Sequence, residues 1–478
     1  MAITLSDIRV RFEGQGAGVG ELTWGQLGIL QTTRRTGRTM NVVVTMPLPD
    51  ATPLAEMAAV LRFLVSRHPA LRTRLRFTDG PSGERGVQQV VSGSGEIPLY
   101  IADLDDEDDP SAAAEEMRSR FELEWFDYER EFPVRMGVVR QSGTLVRLVL
   151  GYSHVMVDGA GILALTRDLA NLDRATGLDT APPEGASPLD IAAAQGSASG
   201  RRQSERSIRY WAAQLERLPA WRPAEPASPQ QPRFWELAGY SPAMDLALRA
   251  IAARTGAATT YVLLAAYSTA VTRVFGRNPS VARIVVSNRF RPGFADVAAQ
   301  LSQDGICVVD TADASFDEVV NRAQSAATSA SFYGYYDPVQ CARLLEETAA
   351  RRGGPLEISW HLNDRRAMPG SQDADESGAG GVEGRDQAGR DVPIDEALAK
   401  LLPRTRLFWD RRMPSFDGAL FIQVDSAPAP LASRQALPEG LPAVYFEVWA
   451  DTRVFTTARI EEFARTMETV LVEAACDA

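Results

Sequence analysis

The stretch "LVLGYSHVMVDGAGIL", residues 148–163, decides how this chain is read. An apolar run (Leu145, Val146, Leu148, Val149, Leu150) reads as a buried strand that ends at Gly151. A helical pattern with Ile162, Leu165, Leu169 and Leu172 on one face starts beyond Gly161. Between strand and helix stand His154 and, four residues on, Asp158 followed by Gly159. The chain has only 3 histidines, so one on the lip of a strand invites a chemical reading. A neutral imidazole titrates near pH 6.5 and is the ordinary general base at neutral pH. A histidine satisfied at a strand end explains the same position without chemistry. Asp158 suits a helix N-cap, and Gly159 suits a backbone position with positive φ.

Working outward, "FPVRMGVVR-QSG-TLVRLVLGYSH" reads as a hairpin whose second strand delivers His154. Upstream, "TPLAEMAAVLRFLVSRHPALRTRLRF" predicts a helix with Thr52 as N-cap, Pro53 in the first turn and an apolar stripe at Leu54, Met57, Ala58, Leu61 and Val65. The helix stops at His68-Pro69, where an imidazole near the helix C-terminus has a structural explanation. The acidic run "DLDDEDDPSAAAEE" reads as a solvated loop entering a helix. Residues 179–206, rich in Pro, Gly, Ser and Arg, read as a linker between a first lobe, 1–178, and a second, 207–478. The second lobe shows an amphipathic helix "SIRYWAAQLERLP", two helices each closed by Gly, a buried strand "ARIVVSNR", and a final strand and helix. His361 in "ISWHLND" ends a strand-like run and stays undecided. The segment 369–391, with 6 glycines and few large apolar residues, is expected as a mobile loop.

Composition narrows the classes. At 478 residues the chain exceeds one ordinary core, and two lobes of roughly 200 residues are expected. A net charge of −12 argues against nucleic-acid binding. Three scattered cysteines form neither a disulfide framework nor a metal spacing, so no metal is expected. No apolar signal core or spanning run occurs, which gives the expectation of a cytoplasmic protein away from membranes, and the Ala, Arg and Gly richness that of a bacterial source. No Gly-x-Ser-x-Gly elbow, Walker loop or dinucleotide glycine fingerprint is present.

Taken in order, the blocks resemble a known family. "ELTWGQLGIL" resembles the opening motif of nonribosomal peptide synthetase condensation domains, and "SRHPALRTRL" their second motif. "SHVMVDG" resembles their His-His-x-x-x-Asp-Gly active-site motif, "RYWAAQLERLP" their Tyr-Trp motif, and "SNRFRPGFADVAAQLSQDGICVVD" more loosely their fifth. The resemblance runs from about Leu22 to Val472. It implies an α/β (α+β) fold of two chloramphenicol acetyltransferase-like lobes forming a V-shaped pseudo-dimer around a central tunnel. It also implies that His154 deprotonates or orients the acceptor, and that Gly159 lets backbone pass close to the reacting carbonyl. Asp158 then has a structural role, paired by alignment with Arg72.

The implied reaction is amide formation, with ester formation second, between an acyl thioester and an amine or hydroxyl acceptor. No cofactor is implied beyond the phosphopantetheine of a carrier protein, or coenzyme A, as acyl carrier. Ser153 replaces the motif's first His, and "GICVVDT" departs from the usual fifth motif. The epimerisation, heterocyclisation and plant-type acyltransferase motifs are missing. With neither an adenylation region nor a Ser-bearing carrier segment, the chain is expected to be free-standing and served by an acyl or peptidyl carrier protein in trans. Its docking is expected near Arg34, Arg35 and Arg38, or near Arg201, Arg202 and Arg206, rather than on the acidic 369–391 loop. Two rival readings are an O-acyltransferase of the polyketide-associated or wax-ester type, and a non-catalytic module that recruits a partner.

Overall fold

The computed structural model describes residues 3–79, 85–174, 176–183, 185–221, 229–366, 393–426 and 441–477. The chain divides into two compact units, one of Met1–Arg202 with Ser287–Gln303 and one of Gln203–Val286 with Asp304–Ala478.

In the first unit, β1 (Leu5–Glu13), β6 (Ser94–Leu104), β7 (Val134–Gln141), β8 (Thr144–Tyr152) and β3 (Val42–Pro47) form one sheet in the order β1-β6-β7-β8-β3. Only β6 and β7 of these pair in parallel. A smaller antiparallel sheet has β5 (Arg85–Val91) between β2 (Gly18–Glu21) and β4 (Thr73–Asp79), and the short β9 (Leu172–Asp173) and β10 (Leu178–Asp179) pair with each other. The helices are α1 (Trp24–Thr36), α2 (Leu54–Arg67), α3 (Pro110–Leu123), α4 (Gly159–Asp168) and α5 (Pro188–Gly196). The expected β7–β8 hairpin is present, turning on Ser142 and Gly143 at positive φ. Of the α2 stripe, Met57, Leu61 and Val65 are buried together with Leu64. Each such side chain contributes about 1.5–3 kcal/mol relative to exposure. The N-cap of α2 is Pro53 rather than Thr52, with no capping side chain, because the Thr52 hydroxyl donates back to Pro49 O.

Two further boundaries differ from the sequence reading. Helix α4 begins at Gly159, and Gly159 takes a helical rather than a positive φ. Most of 179–206 is not an open linker: it carries α5 and the first turns of α6 (Ala198–Arg217). The Ser and Pro counted as linker residues start α5, where Ser187 and Asp190 make a capping box with Pro188 at the first position. Ile191 is buried, and Gln195 Oε1 accepts from Trp24 N at 2.9 Å, so this segment belongs to the first unit.

The second unit holds one seven-stranded sheet in the order β13-β12-β14-β16-β17-β11-β15. Its strands are β11 (Phe234–Ser241), β12 (Ser280–Val286), β13 (Gln303–Val309), β14 (Trp360–Asp364), β15 (Arg406–Met413), β16 (Leu420–Asp425) and β17 (Val444–Asp451). One face packs on α7 (Pro242–Thr255), α8 (Thr259–Phe275), α9 (Phe316–Phe332), α11 (Ile394–Leu401) and α12 (Thr457–Cys476). On the other face α6 and α10 (Pro338–Arg352) build a separate apolar cluster with Val281 of β12 and Ile306 and Val308 of β13. The two helices expected to close on glycine do so, with Gly256 and Gly276 in the left-handed conformation. The 369–391 segment lies outside the described residues.

Candidate active site

Strand β8 stops at Tyr152, and the chain folds at once into a tight turn. Ser153 N donates to Pro133 O at 3.0 Å, while Met156 N and Val157 N both donate to Ser153 O, at 2.9 and 3.2 Å. Val155, Met156 and Val157 are buried and anchor the turn in the core. The opening motif braces it as well, since Gln26 Nε2, at the start of α1, donates to Met156 Sδ at 3.3 Å.

His154, half-buried, stands on this turn with Nδ1 at 3.1 Å from Val157 O. A carbonyl oxygen only accepts, so Nδ1 carries the proton in this contact. In the neutral ring the lone pair is then on Nε2, the state a general base needs. The turn thus fixes both the ring's orientation and its tautomer. Ser153, in the position of the motif's first histidine, is buried near the Tyr128 phenol, and its Oγ meets no hydrogen-bond geometry among the described residues.

Asp158 caps α4, with Oδ1 accepting from Gly161 N at 2.7 Å and from Arg289 Nη2 at 2.8 Å. Its Oδ2 accepts from Arg289 Nη1 at 3.0 Å, Leu301 N at 3.0 Å, Ser302 N at 2.9 Å and Ser302 Oγ at 2.8 Å. The residue is 1% exposed. Burial alone would raise its pKa, but the Arg289 charge and these hydrogen bonds outweigh burial and hold the carboxyl below the usual range. A carboxylate so fully occupied has no lone pair to spare for a substrate proton. Its work is to join the start of α4 to the 287–303 segment.

The expected partner of Asp158, Arg72, is elsewhere. Its guanidinium donates to Ser92 O at 2.5 Å and to Gln15 O, so it ties together two loops of the small sheet. Burial lowers its pKa, and no carboxylate among the described residues offsets that cost. The ion pair goes to Arg289 instead, and Arg289 also donates to Val297 O and Ala299 O. A legible signal for Arg289 existed, because it lies in the quoted "SNRFRPG" block, one residue beyond the end of "ARIVVSN". Gly161 was missed too. A Cβ there would lie 2.8 Å from Val157 Cγ1, 3.0 Å from Ala299 O and 3.1 Å from Arg289 Nη2.

The other histidines do not join this site. His68 Nε2 is 2.9 Å from Asp168 Oδ2, beside the Arg67 guanidinium that grips the same carboxylate. His361 is buried on β14, stacked on Phe421, with its Nε2 3.8 Å from Asp304. Among the described residues no group of three or more His, Cys, Asp or Glu side chains is placed to hold a metal ion. No helix among them is long and apolar enough to cross a membrane.

Similarity to known proteins identifies the family. The sequence profile of the condensation domain matches residues 20–349. The chain is 28% identical over 289 residues to cyclosporin synthetase of Tolypocladium inflatum, covering 57% of this chain and 2% of that protein. It is 22% identical over 310 residues to surfactin synthase subunit 1 of Bacillus subtilis, covering 63% of this chain and 8% of that protein. The chain therefore spans only a small fraction of the length of these relatives. Among solved structures, the condensation domain of chain release from the enacyloxin polyketide synthase superposes with a TM-score of 0.65 at 18% identity, covering 96% of this chain and 83% of that one. The SgcC5 protein of Streptomyces globisporus does so with a TM-score of 0.65 at 17% identity, covering 95% and 98%. The chain belongs to the condensation-domain family, and its mixed α/β fold is that of condensation domains, a chloramphenicol acetyltransferase-like fold. The family is of the acyltransferase type and works in nonribosomal peptide and polyketide assembly, on substrates carried by phosphopantetheine.

Proposed function

We propose that this chain is a condensation-type acyltransferase that moves an acyl group from a thioester to an amine, with a hydroxyl as the second acceptor class. The acyl carrier is the phosphopantetheine of an acyl or peptidyl carrier protein, with coenzyme A as the alternative donor. The observation that carries this reading is the His154 ring, pinned through Nδ1 on Val157 O so that Nε2 is the basic nitrogen. In the reaction Nε2 takes the proton from the attacking nitrogen or oxygen as it bonds to the thioester carbonyl. Collapse of the adduct breaks the carbon–sulfur bond, and the proton passes to the leaving thiolate. Asp158 holds the turn and the helix start in register and takes no proton.

One observation favours a second reading, a non-catalytic module that recruits a partner: the motif's first histidine is Ser153. Acyl-loaded carrier protein and acyl-coenzyme A are each incubated with a panel of amines and alcohols, and products are read by mass spectrometry. Transfer that falls about a hundredfold or more in His154→Ala supports the enzyme. Equal background in both proteins with every donor and acceptor supports recruitment and overturns the enzymatic reading.

A further inference from the structure

The two faces of the second unit's sheet differ in chemistry. On β17, Val444, Phe446, Val448 and Ala450 enter the helix-covered core, while Tyr445, Glu447 and Trp449 point to the other side. Register places Glu236, Ala238 and Tyr240 of β11 opposite Trp449, Glu447 and Tyr445, and Phe421, Gln423 and Asp425 of β16 opposite the same three. That face therefore carries two glutamates on adjacent strands, and both are buried: Glu236 is 0% and Glu447 8% exposed.

One guanidinium serves both. Arg411 of β15 donates to Glu236 through Nε at 2.5 Å and Nη2 at 3.0 Å, and reaches Glu447 Oε2 at 3.3 Å. Arg365, the other cation facing Glu447, is held by Asp425 in a two-point pair at 2.8 and 2.7 Å. Asp410 adds negative charge beside Glu236. Glu236, Glu447 and Asp425 share Arg411 and Arg365, so this group has one carboxylate more than it has cations even before Asp410 is counted. The uncompensated atom is Glu447 Oε1, buried and without a hydrogen-bond partner among the described residues. A buried carboxylate left in this state needs a proton or an incoming cation. Burial, then the neighbouring Glu236, push the Glu447 carboxyl up to about 7. Trp449, Phe416 and Phe421 pack together on this face, with the Arg411 guanidinium over the Trp449 ring, and make the surroundings of the carboxylates apolar.

We propose that Glu447, supported by Glu236 and Arg411, is a recognition site for an alkylammonium group, with Glu447 Oε1 accepting its hydrogen bond. A proton and the ammonium compete for the same oxygen. Binding therefore strengthens as the pH rises through 7, where the ligand remains charged and Glu447 becomes so.

The test is saturation-transfer NMR on the full chain, with pentylammonium as probe and pentan-1-ol as its uncharged match. The expected result is pentylammonium binding at pH 8 that exceeds that of the alcohol. Between pH 8 and pH 6 affinity falls about tenfold, the change in the ionised fraction of a group titrating near 7. Glu447→Gln, which keeps the Arg411–Glu236 pair, loses both the preference and its pH dependence. The wild-type pH series stands even if that variant folds poorly. Equal binding of amine and alcohol, binding independent of pH, or unchanged binding in Glu447→Gln each overturns the proposal. His154→Ala lowers acyl transfer about a hundredfold and leaves pentylammonium binding in place, so this site and the transfer reaction fail separately.

Discussion

Asp158 in the first unit and Glu447 in the second are both buried carboxylates on the same chain, yet they sit in opposite electrostatic states. Asp158 receives six donor contacts, counting both arms of Arg289, and titrates below the usual range. Glu447 shares one guanidinium with Glu236, has no partner for Oε1 among the described residues, and is pushed by burial up to about 7. Burial is nearly the same in the two places and pushes both pKa values upward. What separates them is the supply of donors. A carboxylate whose acceptor sites are all filled by its own chain is a fastener. One whose sites are partly empty has free energy left for a ligand or a proton.

The largest effect expected from breaking this comparison is at Asp158. Asp158→Ala strands the buried Arg289 guanidinium and removes an N-cap, so stability falls by roughly 3–5 kcal/mol, read by urea denaturation. Loss of transfer at unchanged stability would show instead that Asp158 acts in the chemistry. His154→Ala should do the reverse, costing transfer about a hundredfold while circular dichroism and melting temperature stay close to wild type.

Next comes pH, where the two carboxylates should pull in opposite directions. The folded pKa of Asp158 is depressed, so its contribution is present above its unfolded value near 4 and is lost as pH falls below that. The folded pKa of Glu447 is raised, so its contribution is complete below about 4.5 and is lost as pH rises through 7. Glu447→Gln should therefore gain stability over wild type at pH 8, on the order of 2 kcal/mol, and little at pH 4.5. Denaturation curves that shift equally at the two pH values would remove the contrast. The smallest effect is at Gly161, where an added methyl group crowds Val157 and the Arg289–Ala299 contact. Gly161→Ala should cost about 1 kcal/mol, because the nearest atom is a valine methyl that can turn aside. No change in melting temperature would mean that the 287–303 segment yields easily.

Much of the first unit was legible because its signals are local. The β7–β8 hairpin, the stop of α2 at His68-Pro69 and the capping role of Asp158 follow from neighbours in sequence, as does His154 at the strand lip. The linker reading failed for a local reason of another kind. Ser187, Pro188 and Asp190 are loop-forming by composition and helix-starting by position, and only position decides which.

The sequence alone therefore determined the strand–turn–helix around His154, the cap on α4 and, through the order of its motifs, the family. Only the tertiary structure decided which arginine meets Asp158. Arg72 and Arg289 are both far from Asp158 along the chain, and no spacing rule ranks them. The choice rests on which backbone loops present carbonyls and amides nearby, and the 287–303 segment presents both. The same holds for Glu447, an alternating strand residue in sequence: its empty acceptor site comes from which cations its neighbours on β11, β15 and β16 place within reach.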